Sequence, residues 1–390
     1  MRKFKTRLIT AAVISIVLLF SCQKPVQSDG MQVTTNGGTV GLHNYGLMPM
    51  QPEQWSSVPA FSINVLGRGS GAPITTLPGS YLLASPLVRD QGQIGSCTGF
   101  CGVETNEILN YYKTNSSASA GLTVSNGLSA ATTTQFVNSP LFGSASALSP
   151  LFIYYVERCI ILKKSISSDG GAYMVNIPQT LQGLTNNTGT GKTLTGTINR
   201  KSYTFAGDCY ENLYPYPSNG SNRSTQYRTA PSATAISNAV NFKIALQSGT
   251  TGSSGTTTHG YYVINSTDPV GDAKMAIVNK LPVMMGFNVY DNSSYTYFEG
   301  LGVPGYAPNN YTYNPLNSNG TLVSGLQLLG GHAVPLIGYI DDASQPGGGV
   351  FICENSWGTS WGYHGYFYLP YSVLKSTKIV AAGNLYVAII

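Results

Sequence analysis

The spacing of apolar positions changes along the chain, from intervals of three and four residues in the first half to strand-like runs near the end. The first pattern predicts two helices, over 99–113 and 149–163, and the second of these opens with Ser-Pro, a pair typical of a helix start. A further helix is predicted over 272–280, and strands are predicted over 282–289, 333–340, 350–354, 365–369 and 385–390. A helical half followed by a β half favours an α+β fold.

Polar stretches without an apolar period separate these elements. Those over 114–147, 183–207, 218–258 and 291–325 are rich in Ser, Thr, Asn, Gly or Tyr, and we interpret them as long loop insertions. Residues 23–76 have a similar composition, which indicates a tether with extended segments. They contain no pattern of a long charged amphipathic helix. No fixed-period repeat occurs in the sequence, which excludes solenoids and propellers.

The N-terminus has the parts of an export signal. Four basic residues lie within the first seven positions, and an apolar run of 13 residues follows over 8–20. This run is too short to span a bilayer, which needs about 20 residues. It ends in Ser21-Cys22, which resembles the bacterial lipoprotein signal, where the cysteine becomes the lipid-modified first residue. The alternative is an ordinary secretory signal followed by a chance Cys22. In both cases we expect the mature protein to leave the cytoplasm.

Charged residues make up only 9% of the 390-residue chain, against about 25% in an average soluble protein. Hydrophobic residues make up 42%, including 26 Tyr and 13 Phe, which is enough for a large core and argues against disorder. The 21 basic and 16 acidic residues give a net charge of +5, to which the N-terminal cluster contributes four positive charges. The remaining chain is nearly neutral, so we expect no nucleic-acid partner.

Six cysteines and four histidines are the candidates for chemistry. Cys97 lies at the first turn of the first predicted helix, where free backbone N–H groups and the helix dipole lower the pKa of a thiol. His332 follows two glycines and begins a buried strand, whereas the other histidines, at 43, 259 and 364, lie in the tether, in a loop and in a turn. A pair formed by Cys97 and His332 is therefore the leading catalytic candidate.

Other kinds of site lack their signatures. Neither Cys-x-x-Cys nor His-Glu-x-x-His occurs, so we expect no metal. The glycines at 347–349 lack the Lys-Ser/Thr of a phosphate loop, no Gly-x-Ser-x-Gly stands between a strand and a helix, and we expect no cofactor. Cys159, Cys209 and Cys353 are interpreted as buried, inert thiols.

Three blocks of residues resemble the signature blocks of papain-like cysteine peptidases, in the bacterial form that reads Asp-Gln-Gly-x-x-Gly-Ser-Cys-Thr. They occupy 88–100, 331–334 and 355–358, and they carry a Cys, a His and an Asn in that order. The resemblance implies a papain-like two-lobed fold with a mainly helical N-terminal lobe, an antiparallel β-sheet or barrel as C-terminal lobe, and long loop insertions. The chain then divides into a lipoprotein signal peptide over 1–21, a tether and extended segment over 22–76, and a catalytic domain over 77–390.

The resemblance also assigns roles to residues. It implies that Cys97 is the nucleophile, that His332 is the general base and acid, and that Asn355 orients the imidazole. Gln91, six positions before Cys97 as in the family, would donate to the oxyanion together with the Cys97 N–H. Three further residues are grouped as substrate-binding: Gly170 and Gly171, whose backbone would pair with an extended substrate, and Trp357, which would cover the Asn–His pair.

The sequence departs from the family pattern at three places. Ile94 stands where many relatives carry a disulfide cysteine, so we expect that bridge to be absent and assert no other cysteine pairing. Thr98 replaces the Trp that commonly follows the nucleophile. Cys97 and His332 are 235 positions apart, more than in compact relatives, and the additional loops leave the specificity open.

The expected function is that of an exported cysteine peptidase that is anchored to a membrane through lipid on Cys22 and acts on peptide or protein substrates. Two alternatives remain open. One is an amidase or acyltransferase of papain fold that acts on a non-peptide amide, and the other is a catalytically silent surface binding module. The oligomeric state is left open.

Overall fold

The computed structural model describes residues 33–35, 38–40, 43–68, 73–115, 147–186, 191–218, 220–221, 224–244, 247–250, 256–303 and 311–389. The predicted signal peptide, Cys22 and most of the insertion over 114–147 lie outside these residues. No helix in the described ranges is both long and apolar enough to cross a membrane.

The helices are mostly short. The α-helices are α1 (Pro52–Trp55), α2 (Cys97–Thr114), α3 (Pro150–Tyr155), α4 (Asn176–Gln182), α5 (Ala233–Ala239), α6 (Pro269–Val278) and α7 (Tyr371–Leu374). A π-helix over Val156–Ile161 continues α3, and 3₁₀ turns occupy Ile63–Arg68, Glu211–Leu213 and Val240–Phe242. The long helix α2 is buried along most of its length and packs on the main sheet.

The strands are β1 (Val33–Thr35), β2 (Gly38–Val40), β3 (Ser80–Leu82), β4 (Thr195–Ile198), β5 (Lys201–Thr204), β6 (Gln247–Thr250), β7 (Thr256–His259), β8 (Tyr261–Val263), β9 (Val283–Asp291), β10 (Gln327–Asp341), β11 (Gly349–Glu354), β12 (Tyr366–Pro370) and β13 (Leu385–Ala388). The main sheet has the order β12-β11-β10-β9-β13-β8, and β3 also pairs with β10. Its ladders are all antiparallel. Helices in the first half and this sheet in the second confirm the predicted α+β class.

The predicted helix over 149–163 changes form halfway. Ser149 caps α3 by accepting the backbone N–H of Phe152, but the α-helix ends at Tyr155 and widens into the π-helix. The wider turn directs two charged side chains, Glu157 and Arg158, into the buried interior. A π turn of this kind is frequent at functional sites.

The central strand β10 begins six residues earlier than predicted. Gly330 and Gly331, predicted as a turn, continue the ladder with β9, where they face Val289 and Asn288. His332 therefore lies within a strand and not at its start. The residues before and after His332 also pair with β9, and this pairing makes the backbone around the imidazole rigid.

Much of the described part of the predicted tether packs onto the fold. Phe61 and Val58 are buried, and the Phe61 N–H donates to the carbonyl of Val263 at the edge of the sheet. The residues before them, His43–Met50, run between the start of α2 and strand β10. We call residues 43–50 the strap. Its contacts with the fold show that this segment is more than a tether.

Candidate active site

The thiol of Cys97 lies at the first residue of α2 and is fully buried. Its sulfur accepts backbone hydrogen bonds from Gly46, Ala333 and Thr98. Burial, with a smaller contribution from the charge of Glu157, nevertheless raises the pKa of Cys97 to about 12. This outcome differs from the predicted low pKa because removal of water from the sulfur outweighs the helix terminus and the three N–H groups.

The imidazole of His332 is held by Asn355. The His332 Nε2 lies 2.7 Å from Asn355 Oδ1, and this oxygen also accepts the N–H of Ser356 at 2.9 Å. An amide oxygen has no hydrogen and can only accept, so the proton of this bond is on His332 Nε2. Nδ1 is therefore the basic atom of the ring. Burial lowers the pKa of His332 to about 4, although Asn355 opposes this.

Cys97 and His332 come together through the backbone. The residue after the histidine, Ala333, donates its N–H to the Cys97 sulfur, and His332 Nδ1 has no hydrogen-bond partner among the described residues. No hydrogen bond joins the thiol and the ring in this state. Both groups are neutral near pH 7, because the closed cleft excludes the water that an ion pair needs.

Aromatic rings enclose the pair. The Trp357 ring lies 5.2 Å from that of His332, and Trp357 is only 2% exposed. Phe287 and Phe298 face the same imidazole with centroid distances of 5.7 Å and 5.9 Å. Trp357 thus lies beside the imidazole, and the burial that these rings provide accounts for the low pKa of His332.

The side chain of Gln91 reaches the same cleft. Its Nε2 donates to the carbonyls of Ile94 at 2.9 Å and Asn44 at 3.1 Å, and its Oε1 accepts from Ser356 Oγ at 2.7 Å. Asn44 belongs to the strap. The amide predicted to stabilise an oxyanion is therefore already bound to a peptide carbonyl.

The strap fills the cleft as an extended chain. The Leu47 N–H donates to Gly331 O at 3.0 Å, and Ala172 exchanges two hydrogen bonds with the strap, accepting from Met48 at 2.8 Å and donating to Gly46 O at 2.9 Å. Leu47 and Ala172 pair in parallel. Ala172, which no sequence motif indicated, is therefore the residue that holds an extended peptide.

The two glycines before Ala172 have different roles from each other. Gly171 has a φ of +73°, and a Cβ on it would lie 2.0 Å from the Gly46 carbonyl oxygen, so only glycine admits the strap here. Gly170 faces the guanidinium of Arg158, where a Cβ on the glycine would lie 3.3 Å from Nη2, and it makes no strap contact of this kind. Of the two predicted substrate-binding glycines, the structure brings Gly171 to the cleft.

Every second side chain of the strap contacts the cleft wall. His43 stacks on Trp357 with centroids 4.2 Å apart and an angle of 7°. Tyr45 lies against His332 and Trp357, at 6.1 Å and 5.9 Å. Leu47 contacts Gly286 and Gly331. The strap was not predicted from the sequence, because an extended segment has no apolar period of its own.

A polar network ties the loop before Cys97 to the segment that pairs with the strap. The carboxylate of Asp169 accepts the N–H of Gly95 at 3.1 Å and the hydroxyl of Tyr154 at 2.7 Å. Arg158 donates to the carbonyls of Gly171 and Ser168, both at 2.8 Å. These bonds join the loop before Cys97 to the segment that contains Asp169 and Gly171.

The cysteines and acidic groups of the described ranges offer no other centre. Cys97, Cys101, Cys159, Cys209 and Cys353 are free thiols in the described ranges. Among the described residues, no group of three or more His, Cys, Asp or Glu side chains could hold a metal ion. The cleft around Cys97 is thus the place where the reactive groups gather.

Comparisons with known proteins agree with this geometry. A family model described as papain family cysteine protease matches residues 196–383, slightly less than half of the chain. The matched range contains His332 and Asn355 but begins after Cys97. A peptidase C1-like protein of Acanthamoeba polyphaga mimivirus, itself uncharacterized, is 30% identical over 118 residues, which cover 30% of this chain and 30% of the viral protein. The match thus spans less than a third of that relative.

A solved structure shows the fold. Xylellain, a cysteine protease from Xylella fastidiosa, aligns with a TM-score of 0.54 and 22% sequence identity, over 88% of this chain and 95% of xylellain. The papain-like fold predicted from the sequence is confirmed by this likeness. Residues 196–383, which include the His and Asn blocks, thus match the papain family cysteine protease model within a chain of papain-like fold.

Proposed function

We propose that this protein is a cysteine peptidase that hydrolyses peptide bonds with Cys97 and His332 and that the strap keeps it latent. One observation carries the proposal: the cleft beside Cys97 already holds an extended peptide. Ala172 and Gly331 bind its backbone, and Gln91 binds one of its carbonyls. A cleft that binds backbone in this way is suited to peptide substrates.

Release of the strap would change the protonation of the pair. Water would reach the sulfur and the imidazole, so the burial that disfavours their charged forms would decrease. The thiol proton would then pass from Cys97 to His332 Nδ1, while Asn355 keeps Nε2 in place. The backbone N–H groups of Ala333 and Thr98 and the start of α2 would stabilise the thiolate.

Hydrolysis would proceed through a thioester. The Cys97 sulfur attacks the carbonyl carbon, and the negative charge on the oxygen is met by Gln91 Nε2 and the Cys97 N–H. His332 gives its proton to the leaving amine, and a new amine terminus departs. Water, deprotonated by His332, then attacks the thioester and restores the thiol.

The direction of the strap explains why it would not be cleaved. In a substrate, the leaving-amine side must face His332, so the acyl side must lie toward Ala172. The strap has its N-terminal part, His43 and Tyr45, on the His332 side, and Met48 pairs with Ala172. It therefore runs opposite to a productive substrate. Within each of its peptide bonds, the positions of the carbonyl carbon and the amide nitrogen are reversed relative to His332.

Peptide cleavage by the mature chain carrying Gly46→Ala tests the proposal, because a Cβ on Gly46 would lie 1.7 Å from the Gly95 carbonyl oxygen and displace the strap. We expect epoxysuccinyl labelling of Cys97 and cleavage within a fluorogenic peptide panel, both absent in Cys97→Ala. Gln91→Ala should keep the labelling but lower kcat about 100-fold, as removal of an oxyanion donor does. Labelling without peptide cleavage would favour the amidase or acyltransferase alternative, and the absence of both would favour the silent binding module.

We also propose that the protein is an exported bacterial lipoprotein with lipid on Cys22, supported by the apolar run over 8–20 and the cysteine that follows it. The strap lies between Cys22 and the catalytic residues in the chain. A cut just after the strap would therefore open the cleft and detach the enzyme from the membrane in one step. Cys22→Ser should abolish incorporation of labelled palmitate and move the protein to the soluble fraction; palmitate incorporated by Cys22→Ser would contradict the assignment.

A further inference from the structure

We infer that Glu299 closes a side-chain pocket on the leaving-group side of Cys97 and that this pocket selects substrates with tyrosine at that position. The inference rests on the proposed peptidase function and deepens it. In the present state the pocket holds Tyr45 of the strap.

The pocket fits a phenol ring. Its walls are the rings of His332 and Trp357, whose centroids lie 6.1 Å and 5.9 Å from that of Tyr45. Gly330 forms another wall of the pocket. A Cβ on Gly330 would lie 2.5 Å from the Tyr45 Cβ, so a side chain at residue 330 would exclude the ring. At the end of the pocket, the Tyr45 hydroxyl donates to Glu299 Oε1.

The carboxyl of Glu299 is placed by a built structure. Asp291 accepts the backbone N–H groups of Tyr297, Phe298 and Glu299 at 3.0, 2.8 and 2.9 Å. The indole of Trp361 donates to the carbonyl of Glu299 at 3.1 Å. These bonds hold the loop after β9, part of the insertion predicted over 291–325, against the catalytic strand.

Glu299 has unused capacity for a ligand. The residue is 1% exposed, and its Oε2 has no hydrogen-bond partner among the described residues. A buried carboxyl oxygen without a hydrogen-bond partner is costly, so the site favours an occupant with a polar group that can pair with the carboxyl. When the strap leaves, Tyr45 no longer pairs with it, and a substrate side chain takes its place.

The pocket lies on the leaving-group side. His332 protonates the leaving amine, and both Tyr45 and His43 lie on the His332 and Trp357 side of Cys97. Leu47, two residues later in the strap, contacts Gly286 on β9 instead. The residue after the scissile bond is therefore the one whose side chain enters the Tyr45 pocket.

The chemistry favours tyrosine over its analogues. Phenylalanine fills the ring space but leaves both Glu299 oxygens unpaired, which a buried polar site penalises by at least about tenfold. Lysine supplies a donor but no ring. Burial also raises the pKa of Glu299 to about 8, so the carboxyl is largely uncharged near neutral pH and attracts an ammonium weakly.

Aminolysis of the acyl-enzyme measures this pocket directly. The full mature chain carries Tyr45→Ala and Gly46→Ala, which vacate the pocket and displace the strap. An ester substrate acylates Cys97, and tyrosinamide, phenylalaninamide or lysinamide competes with water for the thioester. We expect tyrosinamide to be captured at least about tenfold more efficiently than phenylalaninamide, and Glu299→Leu to abolish this difference. The matched control is Glu53→Leu, which alters an exposed glutamate on α1 and should keep the preference.

Two results would overturn the inference: equal capture of tyrosinamide and phenylalaninamide, or a tyrosine preference that persists in folded Glu299→Leu. If Glu299→Leu does not fold, the ratio in the parent variant decides alone. Absence of any ester turnover would refute the peptidase function instead. In that case, calorimetric titration of tyrosinamide and phenylalaninamide into the chain with Cys97→Ala and Tyr45→Ala still decides whether the pocket prefers a phenol.

Discussion

Substitution of Gly46 by alanine should open the cleft without altering any residue assigned to catalysis. Gly46 lies in the strap beside Cys97, and its neighbour across the cleft is the backbone of Gly95. A Cβ on Gly46 would lie 1.7 Å from the Gly95 carbonyl oxygen and 2.2 Å from its carbon. Backbone atoms cannot rotate away as a side chain can, so the strap has to withdraw.

The expected size of the effect follows from the bonds that withdrawal breaks. Real Cβ contacts under 3.0 Å are essentially never seen, so the strap must move by about 1.3 Å. Such a shift removes the hydrogen bonds that Gly46, Leu47 and Met48 make with Ala172 and Gly331. At about 1 kcal/mol each, the loss is about 3 kcal/mol. The population of the open state should therefore rise by about 100-fold.

Alkylation of Cys97 by iodoacetamide near pH 7 reports this population, with each cysteine quantified separately by mass spectrometry. We expect Gly46→Ala to label about 100-fold faster than the unaltered chain. The matched control is Gly79→Ala, because a Cβ on Gly79 meets no atom within 4 Å. Cys353, fully buried in β11, monitors global unfolding.

Two outcomes would refute the reasoning. Labelling of Cys97 in Gly46→Ala at the unaltered rate, in a folded protein, would mean that the strap does not limit access to the thiol. Equally fast labelling of Cys353 would mean that the substitution unfolds the domain and does not open a local cleft. A large increase confined to Cys97 is the expected result.

Two further predictions concern pH and stability. Burial raises the pKa of Glu299 to about 8 with the strap in place, and hydration after release should return it toward 4.5, so closure takes up a proton. The closed state is then most stable at low pH. Its free energy advantage over the open state decreases as pH rises toward 8, by up to about 1.4 kcal/mol per pH unit. Labelling of Cys97 should accelerate by up to tenfold per unit between pH 5 and 8, and Glu299→Gln should flatten this profile; an unchanged slope in that variant would exclude Glu299 as its cause. Arg89→Leu should lower the free energy of unfolding in urea by about 3–5 kcal/mol, because it leaves Glu107 buried without its ion-pair partner. Exposed Arg228→Leu should change it by less than about 0.5 kcal/mol, and an equally small loss for Arg89→Leu would contradict the assigned role of the buried pair.

The proposed catalytic residues could be located in the sequence because each lies in a short local pattern. Cys97 stands at a helix start, and Asn355 is followed by Ser-Trp-Gly, so residue type and spacing were sufficient to single them out. The structure brings His332, Asn355 and Gln91 to the cleft of Cys97. The α+β class was predictable for a similar reason, since helix and strand periods are local properties of the chain.

Predictions from the sequence are wrong where tertiary contacts outweigh local preference. Gly330 and Gly331 are typical of a turn, but pairing with β9 keeps them in the strand. The helix over 149–163 has a continuous apolar pattern, yet two buried charges, Glu157 and Arg158, accompany a π turn at its centre. The low pKa expected for Cys97 is reversed, because it depends on water access, which the strap controls.

By itself, then, the sequence determined the fold class and the order of the three signature blocks, and it indicated Cys97 as the proposed nucleophile, because these depend on residues close together in the chain. Only the tertiary structure decided what lies across the nucleophile and which side chain ends the neighbouring pocket. Tyr45 and Glu299 are 254 positions apart, and no sequence pattern at either position predicts their contact. The strap has no internal hydrogen-bond pattern of its own, so its conformation exists only through the cleft that binds it.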